Sequence, residues 1–298
     1  MDITLREYQE SDEQAVLKLF DESYGENTLR QMFKSKKFNQ AFLAFQKEEL
    51  IGITVSWEND FHPESTYFRI LVKPIDLPIE EIKKKLFYKL REEVSAKKPL
   101  ITRVFETALS ARDFYEKNGF QEIRRTFIPA LALDEIEEPL STLPIEGFEL
   151  RTLEEIKKDE EQINLLAKIV KRNYEKTHLA NPVKEMELSE WKKFVLEEDV
   201  LLSGSFVLFN DEKEMIAYSF LHRSKEKEDT YELGWCGVRK GEQKGLLPFI
   251  FIEQILFAMK HNIKYILGEF DTTDDYAMEI LKSFSFKPFP AFITYRES

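Results

Sequence analysis

Cysteine and histidine are scarce in this chain. It has one cysteine, Cys236, and four histidines, His62, His178, His222 and His261, in 298 residues. A single thiol excludes an intrachain disulfide scaffold and a Cys-rich metal site, and the histidines lack metal-ligand spacing, so no metal is expected. Long apolar runs are missing too, and none reaches the length that spans a bilayer, so no membrane partner is expected. The start, M-D-I-T-L-R-E-Y, has neither the basic opening nor the apolar stretch of a signal peptide, which predicts a cytoplasmic location. Basic residues are outnumbered: 43 Lys and Arg stand against 55 Asp and Glu, for a formal net charge of −12. That balance argues against nucleic acid and is compatible with cationic partners such as amines. No Walker loop, dinucleotide fingerprint or Ser-His-Asp arrangement is present.

What is there is length, apolar content and internal similarity. A chain of this size predicts two domains of about 150 residues each, and 25 phenylalanines supply ample core. The alternating segment I-T-L-R-E-Y at 3–8 returns as F-E-L-R-T-L at 148–153. Each leads into an acidic helix, expected over 11–24 in the first copy and 153–174 in the second. Then comes a hairpin (41–45 with 50–57; 206–209 with 215–222) and a strand (67–72; 231–238). A helix (79–94; 248–260), a strand (100–105; 265–270) and a last helix complete each copy. The Pro-containing, acidic stretch between the copies lacks periodicity and reads as a linker. The expected division is 1–134, a linker over 135–146, and 147–298.

The most specific stretch is A-R-D-F-Y-E-K-N-G-F, Ala111 to Phe120. Ala111, Phe114 and Tyr115 share one helix face, Asn118-Gly119 ends the helix, and Phe120 restarts the chain as a strand. A-M-E-I-L-K-S-F-S-F, Ala277 to Phe286, aligns with it without a gap. The stretch resembles the last signature of the GCN5-related N-acetyltransferase (GNAT) superfamily, and the repeat makes the chain similar to a tandem pair. The resemblance implies an α/β fold: two GNAT-like domains, each a mixed, mostly antiparallel sheet flanked by helices on both faces. It also implies acetyl-CoA as co-substrate. Tyr115 holds the place of the family tyrosine that reaches the departing CoA sulfur as a general acid.

The family holds the CoA pyrophosphate on backbone N–H groups of a Gly-rich turn at a helix N-terminus, where unpaired donors and a positive dipole end coincide. The second copy offers G-V-R-K-G-E-Q-K-G-L-L-P-F, Gly237 to Phe249. The resemblance marks Cys236, Gly237, Val238, Gly241, Gln243, Lys244, Gly245 and Leu246 as cofactor-binding candidates, with Asp274 where relatives carry a cofactor-contacting Asn. Arg239 and Lys244 are candidate positive charges. The spacing departs from the family pattern: Glu242 stands where Gln or Arg is expected, and Leu247 where Gly or Ala is. In the first copy I-D-L-P-I-E-E follows Val72-Lys73-Pro74, with no glycine and three acids that would repel a pyrophosphate.

Glu232 lies six residues before Val238, where histone-type members carry their general base, though a strand glutamate also serves as an ordinary salt-bridge partner. Strict alternation would send Glu232, Gly234 and Cys236 to one face. Tyr174 and His178, with His222 on the neighbouring strand, are candidates for the acceptor pocket. The expected reaction is acetyl transfer from acetyl-CoA to a primary amine of a small molecule, by direct attack in a ternary complex on the C-terminal copy. Beside it stands a non-catalytic acyl-CoA-binding or interaction protein made of two degenerate GNAT domains. No oligomeric state follows from the sequence.

Overall fold

The structure is a computed structural model that describes residues 3–22, 27–74, 78–95, 97–136 and 146–298. Most of the linker expected at 135–146 lies outside the described residues, as do Ile75, Asp76 and Leu77 of the first copy's acidic loop.

In the N-terminal half, β1 (Ile3–Glu7) leads through a short 3-10 turn into α1 (Glu13–Asp21) and α2 (Asn27–Lys34). Strands β2 (Gln40–Gln46), β3 (Glu49–Glu58) and β4 (Thr66–Val72) form an antiparallel meander. Next come α3 (Ile79–Glu93), β5 (Leu100–Phe105), α4 (Leu109–Lys117), β6 (Phe120–Phe127) and β7 (Ala130–Ala132). Gly119, at φ +85°, lets the chain leave α4 and enter β6.

The C-terminal half repeats the order. It runs β8 (Phe148–Thr152), α5 (Leu153–Ile156), α6 (Glu160–Thr177), α7 (Leu188–Val195), β9 (Phe206–Asn210), β10 (Met215–Arg223) and β11 (Thr230–Val238). It ends with α8 (Leu247–Lys260), β12 (Tyr265–Gly268), β13 (Phe270–Asp271), α9 (Asp275–Ser283) and β14 (Phe292–Glu297). The single helix expected over 153–174 is two. Asp159 breaks it, because its carboxylate accepts from the N–H groups of Glu161 and Gln162 at 3.1 Å and starts a new helix there.

The fold class is α/β, with mixed sheets flanked by helices. Among the described residues the sheets are eight-stranded, in the order β1-β2-β3-β4-β5-β14-β6-β13, and six-stranded, in the order β7-β12-β11-β10-β9-β8. Apolar layers lie on both faces of each: α1 and α2 against one face of the first sheet, α3 and α4 against the other. α6 and α7 cover one face of the second sheet, and α8 and α9 the other. α8 shows why. Leu247, Ile250, Phe251, Gln254, Ile255 and Ala258 recur at three- and four-residue spacing and are all buried. The one polar member, Gln254, accepts from Ser219 Oγ at 2.8 Å and donates to the carbonyls of Ser219 and Gly204.

The halves exchange strands. β14, the last strand, sits inside the first sheet between β5 and β6. β7, from the first half, edges the second sheet beside β12. The strand expected over 265–270 is broken at Glu269: β12 pairs in the second sheet, while β13 pairs with β6 in the first. Phe286, the counterpart of Phe120, starts no strand. The C-terminal chain runs on to Phe292 and crosses into the other half.

Candidate active site between the two halves

β11 and β12 are parallel neighbours only from Thr230–Tyr265 to Leu233–Gly268, yet β11 continues to Val238. Past Leu233 the two strands part, and a wedge opens. At the same point β11 bulges: Ser219 pairs with Cys236 and Leu221 with Leu233, so the single Phe220 faces both Gly234 and Trp235. The extra residue corrects the expected alternation. Trp235 packs with Tyr174, Trp191 and Phe194 on the α6 side, whereas Cys236 joins the core under α8 and α9. Glu232 and Cys236 therefore lie on opposite faces.

The wedge opens into a cavity of ≈ 560 Å³ lined by both halves. One wall is aromatic. Tyr174 stacks on His178 with ring centroids 4.0 Å apart and planes 11° apart. His62, in the loop between β3 and β4, reaches across the boundary: its Nδ1 donates to the Asn181 carbonyl at 2.8 Å and its Nε2 lies 2.9 Å from the Tyr174 hydroxyl. A carbonyl can only accept, so Nδ1 carries the proton and Nε2 accepts from Tyr174. Burial lowers the His62 pKa and raises that of the Tyr174 phenol, which keeps the pair neutral. Burial likewise pushes His178 down to about 4.

A second wall is acidic. Glu269 projects into the cavity at the point where the chain passes from one sheet to the other. Its side chain is exposed to the cavity space, where the crowding of protein atoms around it raises its pKa by desolvation, the Asp271 charge adds to this, and Arg124 and Arg103 oppose it. Asp271 accepts from the Thr126 hydroxyl and pairs with Arg124 at 3.2 Å. Asp274 caps α9 by accepting from the N–H groups of Tyr276 at 2.9 Å and Ala277 at 3.2 Å, and burial pushes it up to about 6. The remaining wall comes from the first sheet and is basic, with Arg69, Arg103 and Arg124.

No protein-family model and no curated protein matches the chain. Solved structures do. It is similar to a GCN5-related N-acetyltransferase from Sphaerobacter thermophilus, with a TM-score of 0.64 and 12% identity over 99% of this chain and 95% of that one. A tandem GNAT protein from the clavulanic acid biosynthesis pathway gives a TM-score of 0.60 and 11% identity over 99% and 98%. The glucosamine N-acetyltransferase region of a fungal multi-domain beta-N-acetylglucosaminidase gives 0.64 and 12%, over 99% of this chain and 38% of that one. The fold is that of a tandem GNAT protein.

Within this tandem GNAT fold the residues singled out in the sequence fall in three places. Tyr174, His178, Cys236 and Asp274 line the cavity. Burial keeps the Cys236 thiol protonated, far from a nucleophile's state. Gly237 is filled from the other side: a Cβ there would collide with Asn173 Nδ2 and stand 3.0 Å from the Tyr218 hydroxyl. The carbonyl of Val238 accepts from Arg172 at 2.6 Å and Asn173 at 3.2 Å. Glu232 and His222 face each other across β11 and β10, next to the cavity but not in its lining, and His222 Nδ1 lies 3.3 Å from Asp199.

The turn from Arg239 to Leu246 precedes α8. Gly241 takes φ +97°, and neither it nor Gly245 has an atom within 4 Å of where a Cβ would be. Lys244–Leu246 is a 3-10 turn that follows Gln243 and runs into α8; the N–H groups of Glu242 and Leu246 donate to the carbonyls of Arg239 at 3.0 Å and Gln243 at 3.2 Å, and among the described residues those of Gln243, Lys244 and Gly245 have no backbone acceptor. That is room and donors for an anion. The cations beside it are already engaged: Arg239 pairs with Glu214 at 2.7 Å and Glu242 at 3.3 Å, and Lys244 with Glu279 at 3.5 Å.

Tyr115 lies elsewhere. It is 4% exposed in the core of the N-terminal half, against Phe68, Phe120 and Tyr295. Sequence reasoning missed His62, the three arginines, Glu269 and Asp271. The available signal was charge inside apolar strands: Arg69 in T-Y-F-R-I-L-V and Arg103 in L-I-T-R-V-F. Among the described residues no group of three or more His, Cys, Asp or Glu is placed to hold a metal ion.

Proposed function

We propose that the protein transfers an acetyl group from acetyl-CoA to a primary amine of a small molecule, by direct attack in a ternary complex, at the wedge of the C-terminal half. The observation that carries this is the parting of β11 from β12 at a bulge that opens into a cavity closed by the other half. A bulge frees a strand N–H from its ladder. Such a donor, fixed beside a thioester carbonyl, stabilises the negative charge that develops there. The N–H groups of Gln243, Lys244 and Gly245 would hold the pyrophosphate, and acetyl-CoA supplies the activated acyl group.

The residues then divide the proton work. The new C–N bond forms as the thioester C–S bond breaks, the amine loses a proton, and the CoA thiolate gains one. We assign the base to Glu269, because it lines the cavity and its pKa is raised above the usual carboxylate range, which makes it a stronger base than a free glutamate. Glu232, the base candidate from the sequence, acts through it, since its charge helps raise the Glu269 pKa. Tyr276, a phenol in the same lining as Asp274, would return the proton to sulfur.

Thiol release on a panel of primary amines tests this, with acetyl-CoA binding followed separately by calorimetry. Turnover that disappears in Glu269→Gln while acetyl-CoA still binds is the expected result. Binding without turnover across the panel would establish the non-catalytic acyl-CoA-binding alternative, and no binding at millimolar acetyl-CoA would remove both.

A further inference from the structure

Positive charge inside the cavity of so acidic a chain is out of place. Arg69 of β4, Arg103 of β5 and Arg124 of β6 come from one stretch of the first sheet, β4-β5-β14-β6, and line the same space. β14 sets their spacing. Thr294 pairs in register with Arg103 on one side and with Arg124 on the other. Those two arginines therefore leave the sheet on the same face, roughly 10 Å apart at the backbone, the width of two strand spacings. Long side chains close that gap easily.

A structural role accounts for Arg124: it pairs with Asp271, the carboxylate that also accepts from Thr126, and the three together tie the two halves. It does not account for Arg103. Among the described residues no carboxylate lies within ion-pair distance of Arg103. Its guanidinium rests on the Phe292 ring, 4.9 Å from the centroid, and the residue is exposed to the cavity. An aromatic platform holds the group in place without neutralising it, which leaves its N–H fork available for an anion. The opposite wall carries Glu269 and Asp274. The cavity is thus polarised, basic on the N-terminal half and acidic on the C-terminal half. The poles are close: Arg124 pairs at 3.2 Å with Asp271, two residues beyond Glu269.

We infer that Arg103, supported by Arg124 and Arg69, binds an anionic group of the acceptor, so that the acceptor is a short amine that also carries a carboxylate or a phosphate. This rests on acetyl transfer at the same cavity. The amine meets Glu269 while the anion meets Arg103, and the N-terminal half, whose sequence carries acids and no glycine after Val72-Lys73-Pro74, supplies acceptor recognition.

The test compares β-alanine, O-phosphoethanolamine and neutral ethanolamine as acceptors at saturating acetyl-CoA. At least a tenfold preference in kcat/KM for one of the anionic amines is expected, and which one distinguishes carboxylate from phosphate. In Arg103→Gln the preference should collapse toward parity while acetyl-CoA binding and the melting temperature hold, and Arg103→Lys should retain part of it. No anionic preference in the wild type, or one that survives in Arg103→Gln, would overturn the inference. If no amine turns over, acetyl transfer fails on its own account. Calorimetric binding of N-acetyl-β-alanine against N-acetylethanolamine then decides the anion site. Carboxylate-selective binding lost in Arg103→Gln upholds it, and equal or absent binding overturns it.

Discussion

The His62 imidazole accepts a hydrogen bond from the Tyr174 hydroxyl at 2.9 Å, and the two residues come from different halves of the chain. His62 is 7% exposed, and its other nitrogen is committed to the Asn181 carbonyl. Removing either partner strands a buried polar atom. Tyr174→Phe and His62→Phe are each expected to cost about 1–3 kcal/mol, and the double variant less than the sum. Chemical denaturation of the four proteins in a double-mutant cycle measures this, and additive costs would show that the contact carries no coupling.

The same cluster sets a pH limit. Burial lowers the pKa of His178 from 6.5 to about 4, and that of His62 in the same direction. The folded state therefore binds these protons less readily than the unfolded one. The stability that depends on neutral imidazoles is complete above about 6.5 and is lost as pH falls from there toward 4. Replacing His178 with Phe, which keeps a ring against Tyr174, should flatten the melting temperature over that window. An unchanged slope would place the pH sensitivity elsewhere.

Strand exchange makes the last seven residues structural. Ile293 and Tyr295 of β14 are fully buried in the core of the first sheet, and the Tyr295 hydroxyl donates to Glu116 at 2.6 Å. Tyr295→Ala is expected to cost about 3–5 kcal/mol. A stop codon at Phe292 should unfold the N-terminal half although it removes nothing that half encodes. Proteolysis followed by mass spectrometry would locate the damage, and a protected N-terminal half would disprove it.

Local pattern carried most of this fold in the sequence. The α8 face from Leu247 to Ala258 and the β5 run from Leu100 to Phe105 depend on periodicity over a few residues, and they are legible for that reason. Strand exchange is not local. Nothing in F-I-T-Y-R-E says that its partners are Arg103 and Arg124 rather than residues of its own half, because pairing is decided by which edge is left open. The site suffered in the same way. Cavity residues such as Tyr174 and His178 belong to one helix and its end and could be picked out, whereas His62 acquires a role only through a residue 112 positions away. The bulge at Gly234–Trp235 also inverted a face assignment that strict alternation had made for Cys236.

Two glycines of the cofactor region should respond in opposite ways. At Gly237 an added methyl would collide with Asn173, which with Arg172 holds the Val238 carbonyl. Gly237→Ala is expected to destabilise by about 1–3 kcal/mol through overpacking. At Gly245 a methyl would meet nothing within 4 Å. Gly245→Ala should leave stability within about 0.5 kcal/mol while weakening acetyl-CoA, if the open side of that turn receives the pyrophosphate. Thermal melts with and without acetyl-CoA separate the two effects.

The last prediction distinguishes Glu269 from Glu232. Both are carboxylates near the wedge, but only Glu269 lines the cavity, and a base must reach the amine directly or through one water. Glu269→Gln should lower kcat by about 10²–10⁴-fold at every pH. Glu232→Gln should leave an active enzyme with a displaced pH profile. The sign follows from the groups facing Glu269: burial, Asp271 and Glu232 raise its pKa, whereas Arg124 and Arg103 lower it. Activity needs the deprotonated form and so rises with pH through that pKa. Removing the Glu232 charge lowers it and carries the acidic limb of kcat/KM to lower pH, and removing the Arg103 charge carries it to higher pH. If instead Glu232→Gln abolishes turnover at all pH values and Glu269→Gln only shifts the limb, the base is Glu232.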